Sequence, residues 1–370
     1  MMEICIVAGA RPNFIKVAPI VRAIEKVKSE GQHIDFTLVY AGREDDPSLE
    51  SSIFEDLQIE HPTVYLGVDC ENLNELTGQV MSAFEHYLQT HKTDVVLVVD
   101  DLASTLAAAI VTKKQGLTLA HLVAGTRSFN IRMPKEINRL VIDGLSDLLF
   151  TAGLGSSSIA SREGAELSKI YMVGNILMDT LRFNRNRLRR PAVLDQLGTN
   201  DYLVFTLNRK ALIANRENLR RMLAGIVMAA EGLPVIAPLR VKAAQAVREC
   251  LPGDTNSFHI IDPLSYLEFG YLTAHAHGII TDSGNVAEEA TFNGVPCITL
   301  NSYTEHIETV KVGSNVLVGE DPALLFEVMT DMVKGRWKKC SIPERWDGRS
   351  AERIVQSLIS MASSKEESGH

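Results

Sequence analysis

Asp282-Ser283-Gly284-Asn285 forms a tight polar turn between an apolar run at residues 278–281 and an amphipathic helix expected to open at Val286. A strand–turn–helix of this kind leaves backbone N–H groups without intrahelical partners at the positive end of the helix dipole. A phosphate or diphosphate fits such an end. Glu288 and Glu289 follow one turn on, where a carboxylate could accept both hydroxyls of a ribose. The same residues also read as an ordinary capped helix, with Ser283 or Asp282 as the cap.

Other stretches carry matching chemistry. Gly9-Ala10-Arg11-Pro12-Asn13-Phe14-Ile15-Lys16 sets two cations beside a helix start, where Pro12 has no N–H to lose. The planar fork of Arg11 suits phosphate; the alternative is an Arg11 tied to a carboxylate and a solvated Lys16. Asp100-Asp101 end an apolar strand. Adjacent carboxylates raise one another's pKa, one route to an acid or base near neutrality, and capping the next helix is their other use. Ala124-Gly125-Thr126-Arg127 is a strand-end turn after His121, and Pro134 opens a helix bearing Lys135, Glu136 and Arg139. His121, inside an apolar strand, is either a satisfied core histidine or a catalyst. Asn208-Arg209-Lys210 forms a corresponding turn in the second half, where Arg209 and Lys210 could face phosphates. Phe269 either stacks on a base or packs in the core, and Glu305 and His306 follow the strand after the central helix.

These groups need strand ends to hold them. Apolar runs at residues 4–8, 36–40, 64–66, 94–99, 117–123 and 148–151 alternate with helical patterns such as 13–29, 74–90 and 104–115. Solid apolar strands with crossover helices predict a parallel sheet covered on both faces, with ligands at the carboxyl ends of its strands. A second series, at 202–206, 234–237, 259–261, 278–281, 297–300 and 316–318, repeats the rhythm. The expected division is therefore residues 1–175 and 176–362, with the last helix packing on the second sheet or crossing back to the first domain, and a frayed tail at 363–370. The arginine-rich stretch at 179–190 reads as a helix, either a solvated connector or an anion site.

Bulk properties bound the function. A chain of 370 residues with 45% hydrophobic and 22% charged residues is a globular composition of about two domains. The formal net charge of -9 supplies no basic field for nucleic acid, while a nucleotide-sized anion needs only a local site. No apolar run approaches the roughly 20 residues of a membrane span. The chain opens directly on a strand, so no signal peptide is expected. Five scattered cysteines without CxxC spacing read as buried apolar residues of a reducing compartment and not as a zinc site. A cytoplasmic location is the expectation.

Taken together, GARPNFIKVAPI, the Asp100-Asp101 strand end, HLVAGTRS, PKEINR, VGN, PLSYLEF, TDSGNVAEEA and TEHIETVKVGSNVLVG resemble the non-hydrolysing UDP-N-acetylglucosamine 2-epimerases. The resemblance runs in order from about residue 2 to residue 319. It implies an α/β fold of two Rossmann-like doubly wound domains facing a central cleft, the glycosyltransferase-B-like architecture, and a homodimer. It implies interconversion of UDP-N-acetylglucosamine and UDP-N-acetylmannosamine with no cofactor and no metal. In that chemistry UDP leaves C1 as a base removes the C2 proton, and the glycal takes back UDP with a proton on the other face. Carried over by motif, Arg11 and Lys16 are phosphate-side and active-site cations, and Arg139 is a further active-site arginine. Ser283, Gly284 and Asn285 cradle the diphosphate, Glu289 binds the ribose, Phe269 contacts uracil, and Asp101 is the strand-end catalytic aspartate.

The chain departs from the family pattern at several proton-handling positions. Val123 stands for the glutamate of H-x-E-A-G, and Lys135 for the first glutamate of P-E-E-x-N-R, leaving Glu136. Asn208 replaces the histidine of G-H-R-R-E, Ala41-Gly42-Arg43-Glu44 replaces T-G-Q-H, and His306 takes the arginine position of T-E-R-P. Asp100, Lys135, Glu136 and His306 are the substitutes on offer. Another UDP-sugar reaction on this scaffold (hydrolytic epimerisation or glycosyl transfer) and non-catalytic UDP-sugar binding are the alternatives.

Overall fold

Apolar runs rich in β-branched residues form the strands. β1 (Met2–Ala8), β2 (Ile34–Tyr40), β3 (Val64–Tyr65), β4 (Val95–Val99), β5 (Thr118–Ala124), β6 (Leu148–Thr151) and β7 (Ile170–Met172) lie in the order β3-β2-β1-β4-β5-β6-β7. All their pairings are parallel, and β4 is buried along its whole length. The computed structural model describes residues 1–49, 51–253 and 256–368, with side chains through residue 362. The chain divides into two units, Met1–Phe183 with Glu344–His370, and Asn184–Pro343.

In the first unit β1 leads by a helix to β2, while its other neighbour β4 leads by a helix to β5. The chain thus departs from adjacent strand ends in opposite directions, and the gap between them is where doubly wound sheets bind ligands. The helix Arg11–Ser29 has proline in its first turn and buries Phe14, Val17, Ala18, Val21 and Ile24 at helical spacing. Phe14 packs on the rings of Tyr40 and Phe54, at 5.7 and 4.9 Å between centroids. Truncating so buried a ring costs about 3–5 kcal/mol, so this helix is fixed firmly over the sheet.

In the second unit β8 (Leu203–Phe205), β9 (Val235–Pro238), β10 (Phe258–Ile261), β11 (Gly278–Thr281), β12 (Cys297–Thr299) and β13 (Asn315–Leu317) lie in the order β10-β9-β8-β11-β12-β13, again all parallel. Here the equivalent gap lies between β8 and β11.

Some boundaries differ from the sequence reading. The first unit runs to Phe183 and not to residue 175. The turn at Gly174 is internal to it: this glycine has φ +101, and a Cβ there would meet the Arg345 carbonyl oxygen at 2.0 Å. The helix Ile176–Asn184 belongs to the first unit because Thr180 Oγ1 donates to Ile15 O at 2.6 Å. Residues 344 onward also return there, the second of the two courses expected for the last helix. Asp179 accepts from the N–H groups of Ser350 and Ala351, at 3.0 and 2.8 Å, so it caps the last helix, Ser350–Ser368. That helix continues through Ser368 where a frayed tail was expected; residues 369–370 lie outside the described ones. The arginine-rich helix ends at Asn184, whose side chain accepts from Arg187, and Arg190 turns to Asp195 at 2.7 Å. Cys5, Cys250 and Cys297 are buried as expected, but Cys70 is half-buried and Cys340 exposed, because both lie in segments outside the strands and helices.

Candidate functional site

The gap between β1 and β4 collects most of the first unit's charged candidates. After β1, Gly9 lies against the start of the helix Ala103–Lys114, and a Cβ on it would meet Ser104 Oγ at 1.9 Å. Asn13 ties the turn together, accepting from Gly9 N at 2.9 Å and donating to Asp100 Oδ2 at 2.9 Å. The N-cap of the helix Arg11–Ser29 is Ala10, which offers no side-chain acceptor. Arg11 Nε is buried without a partner, and Arg11 makes no ion pair among the described residues. A cavity of about 260 Å³ adjoins, lined in part by Gly9, Ala10, Tyr40, Asp46, Leu102 and Ser104.

At the end of β4 the two aspartates diverge. Asp100 has φ +59, a left-handed conformation that Asp tolerates better than most residues. Its carboxylate meets Lys16 Nζ at 2.5 Å, so Lys16 is neither solvated nor without a counter-ion. Asp101 points instead to the helix Pro134–Leu145. Its Oδ2 accepts from Arg139 Nε at 2.8 Å and faces Arg139 Nη2 at 2.7 Å, with Lys135 Nζ at 3.4 Å from Oδ1. Asn138 Nδ2 donates to the Asp101 carbonyl at 2.8 Å.

Glu136 is buried and committed to structure. It accepts from Ser128 N, Ser128 Oγ, Phe129 N and Arg139 at 2.8–3.1 Å. Burial raises this carboxyl, but those donors outweigh it and the net shift is downward. Such a group is a poor base. Phe129, held by this latch at φ +58, is exposed.

His121 proves to be a core histidine. Its Nδ1 meets Asp143 Oδ1 at 2.6 Å and its Nε2 meets the Asp100 carbonyl oxygen at 2.9 Å. Both ring nitrogens are thus engaged inside the protein. Asp143 also takes Gly125 N at 3.0 Å and Arg127 at 2.8 Å. Burial raises the Asp143 carboxyl, and His121 with Arg127 more than offsets it, leaving it below the ordinary value. Val123 has φ +70, at a register shift in β5 between Leu122 and Ala124. A β-branched residue is strained there.

The gap between β8 and β11 gathers the second unit's candidates. The helix Gly284–Asn293 starts two residues earlier than expected, and its N-cap Ser283 makes no side-chain capping bond. Among the described residues no protein group accepts from the N–H of Gly284, Asn285 or Val286. Asp282, the other candidate cap, turns away: its Oδ2 accepts from Asn208 N at 2.7 Å and Arg209 N at 2.6 Å, fixing the turn after β8. Its Oδ1 is buried and unpartnered. Burial raises the Asp282 carboxyl, and the two N–H groups only partly counter it. Arg209 is engaged by the Leu300 carbonyl at 3.0 Å, by Asn301 and by Glu320 at 3.6 Å.

Glu289 lies one turn into the helix. It is buried, and no hydrogen bond or ion pair to it is seen among the described residues. Burial, with Glu288 adding like charge, pushes its carboxyl up to about 8. His306 Nε2 sits 3.6 Å from Glu288 Oε2, a pairing that sequence spacing did not disclose. Phe269, on the helix Tyr266–Ala274, packs half-buried on a core that includes Leu272, Ile279 and Val286. The described residues contain no group of three or more His, Cys, Asp or Glu side chains placed to hold a metal ion.

Each unit thus brings its own candidates to one strand gap: Arg11, Lys16, Asp101, Glu136 and Arg139 in the first, and Asn208, Arg209, Ser283, Gly284, Asn285, Glu289 and His306 in the second. A buried carboxylate without a partner beside an uncapped helix start is a binding geometry for a molecule that carries phosphate and hydroxyls.

Known proteins resemble this chain in sequence and fold. The sequence model of UDP-N-acetylglucosamine 2-epimerase matches residues 26–359. The UDP-N-acetylglucosamine 2-epimerase of Methanocaldococcus jannaschii is 34% identical over 96% of this chain and 99% of its own. Its crystal structure, in complex with UDP-GlcNAc and UDP, superposes with a TM-score of 0.83 over 96% of this chain and 99% of that one. The UDP-2,3-diacetamido-2,3-dideoxy-D-glucuronate 2-epimerase of Pseudomonas aeruginosa is also 34% identical, over 88% of this chain and 91% of its own. A lipopolysaccharide outer core galactosyltransferase, 13% identical with a TM-score of 0.59, shares the fold alone. With most of its length matched by the family model and by relatives above 30% identity, this chain belongs to the UDP-N-acetylglucosamine 2-epimerase family.

Proposed function

We propose that this protein is a nucleotide-sugar 2-epimerase that interconverts UDP-N-acetylglucosamine and UDP-N-acetylmannosamine by eliminating and re-adding UDP. The observation that carries the reading is the pairing of an uncapped helix start at Ser283 with the buried, unpartnered Glu289. The N–H groups of Gly284 and Asn285, with the Ser283 hydroxyl, take the diphosphate. Glu289 takes the ribose hydroxyls, and Phe269 borders the uracil. Arg11 and Arg139 supply positive charge as UDP leaves, with Arg209 and His306 flanking the nucleotide.

The C2 proton is not α to a carbonyl, so its removal must be coupled to loss of UDP. As Asp101 takes that proton, the C2–H electron pair becomes the C1–C2 π bond and the C1–O pair leaves with UDP. Stabilising that leaving diphosphate is the largest electrostatic demand. Lys16 and Asn208 complete the proton-handling and positioning set, with Glu136 holding Arg139 against Asp101.

Incubation in heavy water tests this. Deuterium at C2 in both epimers is expected; released UDP with free sugar would favour the hydrolytic alternative, and unchanged nucleotide sugar that still raises the melting temperature would favour a binder. The diacetamido-glucuronate substrate of the Pseudomonas relative is the second nucleotide sugar to offer. The enzyme is further inferred to be a cytoplasmic homodimer without a nucleic-acid partner. The net charge of -9 and the lack, among the described residues, of a helix long and apolar enough to cross a membrane support the setting. Light scattering tests the dimer.

A further inference from the structure

We propose that Asp100 and Lys16 form the second proton-handling pair of this enzyme, with Lys16 exchanging the proton on the face of C2 opposite Asp101 and Asp100 positioning its ammonium. The inference rests on the epimerase reading. Inversion at C2 requires a proton to leave one face and arrive on the other, and a single fixed carboxylate serves only one face.

The strand end of β4 supplies two directions. Asp101 reaches the helix Pro134–Leu145 through Arg139, and Asp100 reaches the helix Arg11–Ser29 through Lys16 and Asn13. The left-handed backbone at Asp100 produces this divergence. Strain of this kind, held at the ligand-facing end of a strand, points to use and not to accident. Its surroundings over-determine it: Asn13 Nδ2 and Lys16 Nζ grip the carboxylate, while His121 Nε2 grips the carbonyl oxygen.

The other substitutes are spent or misplaced. Glu136 is saturated by four donors, and the nearby Asp143, which is not among those substitutes, is taken up by His121, Arg127 and Gly125. The Lys135 side chain is 58% exposed and leans on Asp101 itself, whereas that of Lys16 is 9% exposed. A shielded ammonium keeps its proton from bulk exchange while the glycal is present.

The balance is as follows in the direction that begins at Asp101. Asp101 gains the C2 proton and UDP departs with the C1–O pair. The π pair of the glycal then takes a proton from the Lys16 ammonium on the other face as a UDP oxygen re-bonds to C1. Asp101 is left protonated and Lys16 neutral, and solvent resets both. In the reverse direction the neutral amine beside Asp100 accepts the C2 proton of the other epimer.

Positional isotope exchange, with oxygen-18 in the anomeric bridge of each epimer, reads C1–O cleavage from each side separately. In Asp100→Asn, elimination from the epimer served by Lys16 should fall at least about tenfold more than elimination from the epimer served by Asp101. Asp101→Asn should show the opposite bias. Asn tolerates the left-handed backbone, so the fold survives, and Asp100→Gly, which needs no such tolerance, provides a second variant with the same expected bias. Equal losses from both epimers, or the same bias in the Asp100 and Asp101 variants, overturn the pair while leaving the epimerase reading intact. A wild-type enzyme that neither exchanges nor epimerises any UDP-sugar offered overturns the reading itself, and the pair with it.

Discussion

Glu289 makes nucleotide binding dependent on pH in a direction that can be worked out. In the free chain its carboxyl is pushed up to about 8 by burial and by Glu288. Accepting two ribose hydroxyls requires the ionised form, because only that form is acceptor-only. Binding must therefore expel a proton wherever the free group is protonated, close to one per site at neutral pH. Linkage then gives an affinity for UDP-N-acetylglucosamine that rises about 50-fold between pH 6 and pH 8 and flattens above it. Calorimetry in two buffers of different ionisation enthalpy measures the proton release, and repeating it across pH measures the slope. Glu289→Gln removes the titration, so its weaker binding should be level with pH. Affinity that is flat in the wild type, or a proton taken up in place of one released, would refute the assignment of the ribose to Glu289. The same shift bears on stability. A folded-state value above the unfolded one means that the stabilisation is fully present below about 4.5 and is lost as pH rises through about 8. The ligand-free protein should therefore melt earlier at pH 8 than at pH 6 in so far as Glu289 decides it, and nucleotide should narrow that difference.

Three further outcomes are expected. Arg11→Ala removes a guanidinium with no ion pair among the described residues; nucleotide-sugar affinity should fall about 10- to 100-fold, as for a lost charge-assisted bond, with little change in melting temperature. Asp101→Asn should leave UDP affinity intact and lower turnover by about 100- to 10,000-fold, the span of general acid–base effects, as steady-state rates and calorimetry on one preparation would show. Glu136→Ala breaks a buried, multiply bonded carboxylate and should cost about 3–5 kcal/mol in urea unfolding. Because donors hold that carboxyl below its ordinary value, its contribution is present above about 4.5 and fades as pH falls, so the variant and the wild type should converge in acid.

Much of the fold is legible because buried parallel strands write themselves as unbroken apolar runs. β1, β4 and β11 have that form, and their ends locate both ligand gaps. The short edge strand β7, only half-buried at Ile170, Tyr171 and Met172, carries too little pattern to announce itself. The extent of the first unit stays hidden in the sequence for a related reason. The expected division at 175/176 falls beside Gly174, whose backbone lies against a returning segment more than 150 residues away in the chain, at Arg345. Arg11, Asp101, Ser283 and Glu289 are candidates that local motifs suggest. The partners do not: Lys16 meets Asp100 across 84 positions and Asn208 meets Asp282 across 74. No periodicity encodes such pairs, because strand order sets them.

Those two long-range pairs occupy the same place in the topology. In each unit an aspartate just beyond the second strand of the gap reaches back to the turn beyond the first: Asp100 after β4 to the start of the helix following β1, and Asp282 after β11 to the turn following β8. In both units, then, a carboxylate bridges neighbouring strand ends. What differs is the donor. Asp282 takes only backbone N–H groups, which carry no transferable charge, and by turning away from its own helix it leaves that helix start uncapped for an anion. Asp100 takes the Lys16 side-chain nitrogen and the Asn13 amide. One structural device therefore engages backbone donors in the second unit and side-chain donors in the first. On the proposed reading, the open helix start serves the leaving diphosphate and the Asp100–Lys16 pair serves proton transfer.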